Sequence, residues 1–322
     1  MLRDRPGRAS PRRCGAVLLT QWLVVSSSVR VVSLLPSATE IVYALGLEDQ
    51  LVGVTFECDE PKRARRDKTV VVGGRDTSGM SPAAIDAYVR DQVAAGQDLY
   101  TLNAGALATL APELILTQDL CRVCALPADH VADALAHLGC TASVVTLDPQ
   151  SLDDVLATIL TVGEHTGTRQ EAEQLVAGLR RRLADVSARV ASGRRPAVAV
   201  VEWVDPPFAA GHWVPDLVTA AGGRPVAAHP HGRSSQTSWD EVAAARPDLV
   251  VVAPCGFGLS QAAQQAEIVA RQLPGTPIWA IDANSFVVRP GPRLVDGVEA
   301  LASILHPDRA ATIPAGRVCR IA

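Results

Sequence analysis

Four of the seven cysteines, Cys58, Cys121, Cys124 and Cys255, stand just beyond a predicted strand. Cys121-x-x-Cys124 has the bite of a metal or redox pair. With Cys58 and Cys255 it would complete a four-thiolate set for zinc or an iron–sulfur cluster. The competing reading keeps all four as small, polarisable cleft residues that never meet one metal. A second concentration of chemistry lies between Trp203 and Trp213, where Phe208, a Pro-Pro step, Gly211 and His212 share one segment. Such a rigid apolar wall suits a flat conjugated ligand that stacks on the rings. His212 either satisfies a backbone carbonyl or reaches a metal centre within that ligand. Arg289-Pro-Gly-Pro-Arg293 forms a stiff basic turn, and Arg289 either touches an anionic ligand edge or fixes a lobe. Pro36, Ser37, Glu57, Trp239 and Phe257 complete the candidate ligand contacts. A nucleophile elbow and a Gly-rich phosphate loop are both absent, and no oriented base accompanies the Cys pair. A binding protein is expected, not an enzyme.

These residues need a scaffold that brings strand ends together. Val29–Leu35 is an aliphatic run of the kind found in buried parallel strands. Ser37-x-x-Glu40 matches a capping box for a helix that ends at Gly46. Strand–loop–helix then repeats, with strands at Leu51–Thr55, Leu114–Leu116, Val198–Val201 and Leu249–Val252. The segments LATLAPELILTQDLC (107–121) and DEVAAARPDLVVVAPC (240–255) share a helix end, a Pro-acid step, an aliphatic strand and a terminal Cys. Their common order points to an internal duplication. Between the halves, residues 168–192 carry apolar positions at helical spacing behind a second capping box, Thr168-x-x-Glu171. A helix of that length spans roughly 37 Å, enough for one rigid strut across both lobes.

The chain is expected to divide into an unstructured or signal-like extension (1–28), an N-terminal α/β lobe (29–150), linking helices that include a backbone helix (151–194), a C-terminal α/β lobe (195–307) and a tail (308–322). The 322 residues are 48% hydrophobic, enough to bury a sizeable core. A net charge of −4, with no basic stripe beyond the first 13 residues, argues against nucleic acid as a partner. The apolar run from Ala16 to Val25 is too short to cross a bilayer. It lacks a clean small-x-small cleavage site. Together with an odd number of thiols, this favours a cytoplasmic location, with the cell envelope as the alternative.

The segments VVSLLPSATEIVYALG (31–46), VEWVDPPFAAGHWVPDLVTAAGG (201–223) and RPGPRLVDGVEALASILHP (289–307) resemble the periplasmic-binding-protein family with a helical backbone. ECDEP (57–61), TQDLCRVCA (117–125) and PCGFG (254–258) resemble a cobalamin-binding subgroup rich in cleft cysteines. The resemblance covers residues 29 to 307. It implies a class III solute-binding fold, with two similar Rossmann-like lobes joined by a long backbone helix. It also implies a monomer that binds cobalamin or a related metal chelate for an ABC importer. Docking on the permease in that family uses an acid on each lobe. Here Leu102–Gly105 carries none in the N-lobe, while Asp240 and Glu241 stand in the C-lobe. The alternative is a cytoplasmic metal- or cofactor-handling protein on the same scaffold, not docked to a transporter.

Overall fold

The computed structural model describes residues 29–77, 79–119, 128–138, 140–311 and 316–322. In chain order the first half comprises β1 (Val31–Ser33), α1 (Pro36–Ala44), β2 (Leu51–Thr55), α2 (Ala64–Asp67), β3 (Thr69–Gly74), α3 (Pro82–Ala94), β4 (Tyr100–Leu102), α4 (Ala104–Leu110), β5 (Leu114–Thr117), α5 (Ala128–Leu138) and β6 (Ser143–Thr146). Two helices follow, α6 (Leu152–Thr166) and α7 (Arg169–Val190). The second half contains β7 (Ala197–Val204), β8 (Pro207–His212), α8 (Val214–Ala220), β9 (Arg224–Pro225), β10 (Ala228–Pro230), β11 (Ser235–Gln236), α9 (Trp239–Ala244), β12 (Leu249–Val252), α10 (Leu259–Gln272), β13 (Ile278–Ile281), α11 (Ala283–Phe286), α12 (Leu294–Leu305) and β14 (Val318–Arg320).

Each half builds its own sheet. The N-lobe order is β4-β3-β2-β1-β5-β6, parallel except for β4. The C-lobe path is β10-β8-β7-β12-β13-β14, with β9 and β11 added beside β7 and β8. Its centre, β7-β12-β13, is parallel. The duplicated segments become α4–β5 and α9–β12, and each strand pairs with the first strand of its own lobe. Alternating side chains feed a separate apolar layer on each sheet face. Val31, Leu114 and Leu116 enter one layer, while Val32 and Ile115 enter the other. Val198 and Val200 are divided from Ala199 and Val201 in the same way.

The strut is a pair of helices, where a single one was expected. Leu152 and Val155 of α6 pack into the C-lobe core, and Leu156, Ile159 and Val162 pack into that of the N-lobe. Helix α7 returns, placing Ala172, Val176 and Leu179 in the N-lobe and Val186 and Val190 in the C-lobe. Neither expected capping box forms. Pro36 starts α1 two residues early, so Ser37 lies inside the helix and extended Leu35 occupies the cap. Thr168 caps α7 without a side-chain bond to its backbone. The boxes that do form are Ser151 with Asp154 and Ser238 with Glu241. The tail is also revised: β14 pairs antiparallel with β13, joining residues 318–320 to the C-lobe sheet.

Candidate ligand-binding cleft

Parallel strands release their carboxyl ends at one edge of a sheet, and here the two edges face each other. Side chains crossing the gap establish this. From the C-lobe loop after α11, Arg289 reaches Asp59 Oδ1 at 2.5 Å and the Glu57 carbonyl at 3.3 Å, both in the loop after β2. Arg293 grips Glu40 of α1 through two bonds of 2.8 and 2.5 Å. The Glu40 side chain is 5% exposed, and burial pushes its carboxyl up while Arg293 and then Arg289 pull it down. Arg289, with 13% of its side chain exposed, holds the lobes together. Of the two roles left open for it, the structure supports fixing the lobe.

Aromatic rings line both edges. On the C-lobe, Trp203 and Phe257 lie 5.7 Å apart at 33°, and the Trp203 indole donates to the Asp205 carbonyl at 3.2 Å. Phe208 stands opposite Trp203 in the β7–β8 hairpin, and all three rings are partly exposed. On the N-lobe, Phe56 and Tyr100 lie 6.2 Å apart. The Phe56 ring sits where a Cβ on Gly74 would come within 2.7 Å of it. The Tyr100 hydroxyl is 3.5 Å from Glu57 Oε2. Burial pushes the Glu57 carboxyl up to about 7, against the pull of Arg289 and of the Tyr100 hydroxyl. Phe56 and Tyr100 were missed in the sequence. Gly73-Gly74 is the end of β3, and Gly74 leaves room for the Phe56 ring.

Of the other candidates, Trp213, Gly211 and Ser37 are buried within the lobes. Trp213 is 5% exposed in the C-lobe core and donates to the Val287 carbonyl at 2.8 Å, so it forms no cleft wall. Gly211 is small because the 232–234 backbone crosses it: an added Cβ would meet Ser234 N at 2.3 Å. Its N–H donates to Glu202 at 3.1 Å. His212 has φ +49°, its ring lies 5.6 Å from that of Trp213, and its buried Nε2 has no protein partner. Burial and then the nearby Arg233 charge hold its pKa down, keeping the ring neutral at neutral pH. Ser37 is 3% exposed, too buried to touch a ligand, while Pro36 is partly exposed. Trp239 leans on the C-lobe core layer away from the linking helices.

Of the candidate thiolate set, Cys58 and Cys255 lie among the described residues. Cys58 is fully buried, 3.0 Å from Thr39 Oγ1 and 3.3 Å from Thr55 Oγ1. Burial pushes its thiol up, so it is a protonated core group and not a ready thiolate. Cys255 is exposed. Cys121 and Cys124 lie outside the described residues. Among the described residues no three His, Cys, Asp or Glu side chains gather as a metal site.

A vitamin B12-binding protein of Vibrio cholerae serotype O1 is 28% identical over 284 residues, covering 86% of this chain and 88% of the relative. An uncharacterized ABC transporter substrate-binding lipoprotein of Bacillus subtilis (strain 168) is 26% identical over 288 residues, covering 87% and 80%. Among solved structures, a periplasmic heme binding protein from Pseudomonas aeruginosa shares the fold with a TM-score of 0.66 at 23% identity, covering 90% of this chain and 97% of that one. The periplasmic vitamin B12 binding protein of Vibrio cholerae does so with a TM-score of 0.60 at 23% identity, covering 86% and 97%. The family described as periplasmic binding protein matches residues 31–280, so the chain belongs to that family.

Proposed function

We propose that this chain is the substrate-binding component of an ABC importer and holds a flat metal chelate of the cobalamin or haem type between its lobes. The observation that carries the reading is a group of rings at the strand-end edge of each lobe, Phe56–Tyr100 on one and Trp203–Phe257 with Phe208 on the other, with Arg289 bridging the two lobes. Stacked rings recognise a conjugated macrocycle through its faces, while a few polar groups such as Glu57 fix its orientation. The relatives support the ligand class, being named for vitamin B12, heme and ABC transport. They are binding proteins, which favours binding without catalysis. The alternative of a cytoplasmic metal handler is not favoured, because the relatives are named as ABC-transporter and periplasmic binding proteins. With relatives named as periplasmic proteins and a lipoprotein, an extracytoplasmic place replaces the cytoplasmic expectation. Docking on a permease would engage Asp240, exposed at the start of α9. The N-lobe counterpart of that position is the helix start at Asn103, whose side chain caps α4.

Titration of the purified protein with cyanocobalamin and with haemin, followed by tryptophan quenching and ligand absorbance, tests the reading. Saturable one-to-one binding of either probe is expected. No quenching and no spectral change with both would overturn it.

A further inference from the structure

Between β3 and β4 the chain makes an excursion, residues 75–99, that leaves and returns at the cleft edge of the N-lobe. Gly74 and Tyr100 are partners in the β3–β4 ladder, so both ends of the excursion sit beside the Phe56–Tyr100 wall. Its helix, α3, has no buried residue, and among the described residues no other helix or strand packs broadly against it. Its partly covered positions nevertheless share one face. Ile85, Tyr88, Val89 and Gln92 recur at helical spacing and are half-covered, whereas Ala87, Asp91 and Val93 are exposed. A helix of 13 residues is roughly 20 Å long. Near its far end, Arg90 Nη2 donates to Gln236 Oε1 at 3.0 Å, across the gap between the lobes. Gln236 is not an arbitrary contact. It pairs with Phe208 in the β8–β11 ladder, and Phe208 pairs with Trp203. The excursion therefore begins at one aromatic wall and touches the other. The duplicated unit of the C-lobe has no helix in the matching place.

We propose that α3 is the third wall of the ligand cleft. The Ile85–Tyr88–Val89 stripe covers the outer edge of the bound chelate, and the Arg90–Gln236 hydrogen bond holds the helix across the opening. This rests on the reading of the cleft as a chelate site and adds a recognition element that the two strand edges do not supply. A helix with so little of its own core can move aside to admit a ligand and settle back over it. Arg75, whose guanidinium lies 4.5 Å from the Tyr88 ring, steadies the excursion near its base.

Stopped-flow tryptophan quenching on the full chain tests this with cyanocobalamin and haemin as probes. Arg90→Ala and Gln236→Ala should each speed release of the bound probe about fivefold. The double variant should release it no faster than either single one, because both remove the same bond. Hydrogen exchange of the 82–94 amides should slow when the probe is bound, a change that a merely structural helix would not show. If the wild-type chain binds a probe but the variants release it at the wild-type rate and α3 exchanges equally fast with and without it, the third wall is overturned and the cleft reading stands. If the wild-type chain binds neither probe, the cleft reading falls and this inference falls with it.

Discussion

Replacing Glu57 by Gln separates the cleft's electrostatic design from its shape. The folded carboxyl titrates at about 7 against an ordinary 4.5, so folding raises its proton affinity. At 1.36 kcal/mol per unit, ionised Glu57 costs the folded state roughly 3 kcal/mol. A carboxyl raised on folding takes up protons as the chain folds, so stability is highest below about 4.5, falls between 4.5 and 7, and levels above 7. Glu57→Gln keeps the shape and cannot ionise. At pH 8 the variant should therefore be more stable than the wild type by up to about 3 kcal/mol, and by pH 5 the gap should shrink to under about 1 kcal/mol. Urea unfolding of both proteins at the two pH values measures this. An unchanged or less stable variant at pH 8, or a gap that persists at pH 5, would refute the reasoning. The same shift bears on binding. A chelate that excludes water from Glu57 favours its protonated form further, so affinity for cyanocobalamin should rise as pH falls through 7, and the variant should lose that dependence.

The two tryptophans should separate cleanly. Trp203→Ala is expected to weaken cyanocobalamin binding several-fold, the loss of a stacked ring costing about 0.5–1.5 kcal/mol beyond area burial, with little change in melting temperature. Trp213→Ala should instead lower stability by about 3–5 kcal/mol; equal effects of the two on affinity and on stability would reject the assignment. Cys58 should resist iodoacetamide in the folded protein while Cys255 is alkylated, as read by peptide mass spectrometry, and comparable labelling would show Cys58 to be an accessible thiolate. Arg293→Met takes from the buried Glu40 carboxyl the cation that pulls it down and should cost about 3–5 kcal/mol in urea unfolding at pH 8, a loss under about 1 kcal/mol marking the pair as dispensable.

The parts of the fold legible in the sequence are those that local pattern determines. Strands buried on both faces must be aliphatic throughout, which makes Val31–Ser33, Leu114–Thr117 and Leu249–Val252 visible, and the Pro-acid step before two of them exposes the duplication. Features that depend on a neighbour are harder to read. The capping box at Ser37 fails because Pro36, with its fixed φ, is itself a better first helical residue, a competition that spacing rules do not weigh. The pairing of α6 with α7 is hidden because each helix divides its apolar face between two cores, Leu152 and Val155 facing one lobe and Ile159 and Val162 the other. Nor can three residues such as Val318–Arg320 announce a strand when their stability comes from the edge of β13.

The site was half legible for the same reason. Residue type shows that the Trp203–Trp213 segment is rich in rings but not which way each ring points. The β7–β8 hairpin sets Trp203 opposite Phe208 at the cleft edge and carries Trp213 to the start of α8, where its N–H finds the Val287 carbonyl. That partner lies 74 residues further along the chain, beyond the reach of any local motif. Arg289 is the sharper case. Its charge invites an anionic ligand, yet its acids, Asp59 and Glu40, already stand in the opposite lobe. An Arg at a cleft edge meets whichever anion the fold delivers first, and here the duplication that sets the two sheet edges face to face delivers carboxylates of the chain itself. With Arg289 and Arg293 thus engaged, the groups left for the proposed ligand are the aromatic rings and a Glu57 carboxyl poised near 7. A cleft of that composition fits the proposed recognition of a large, polarisable macrocycle through its faces.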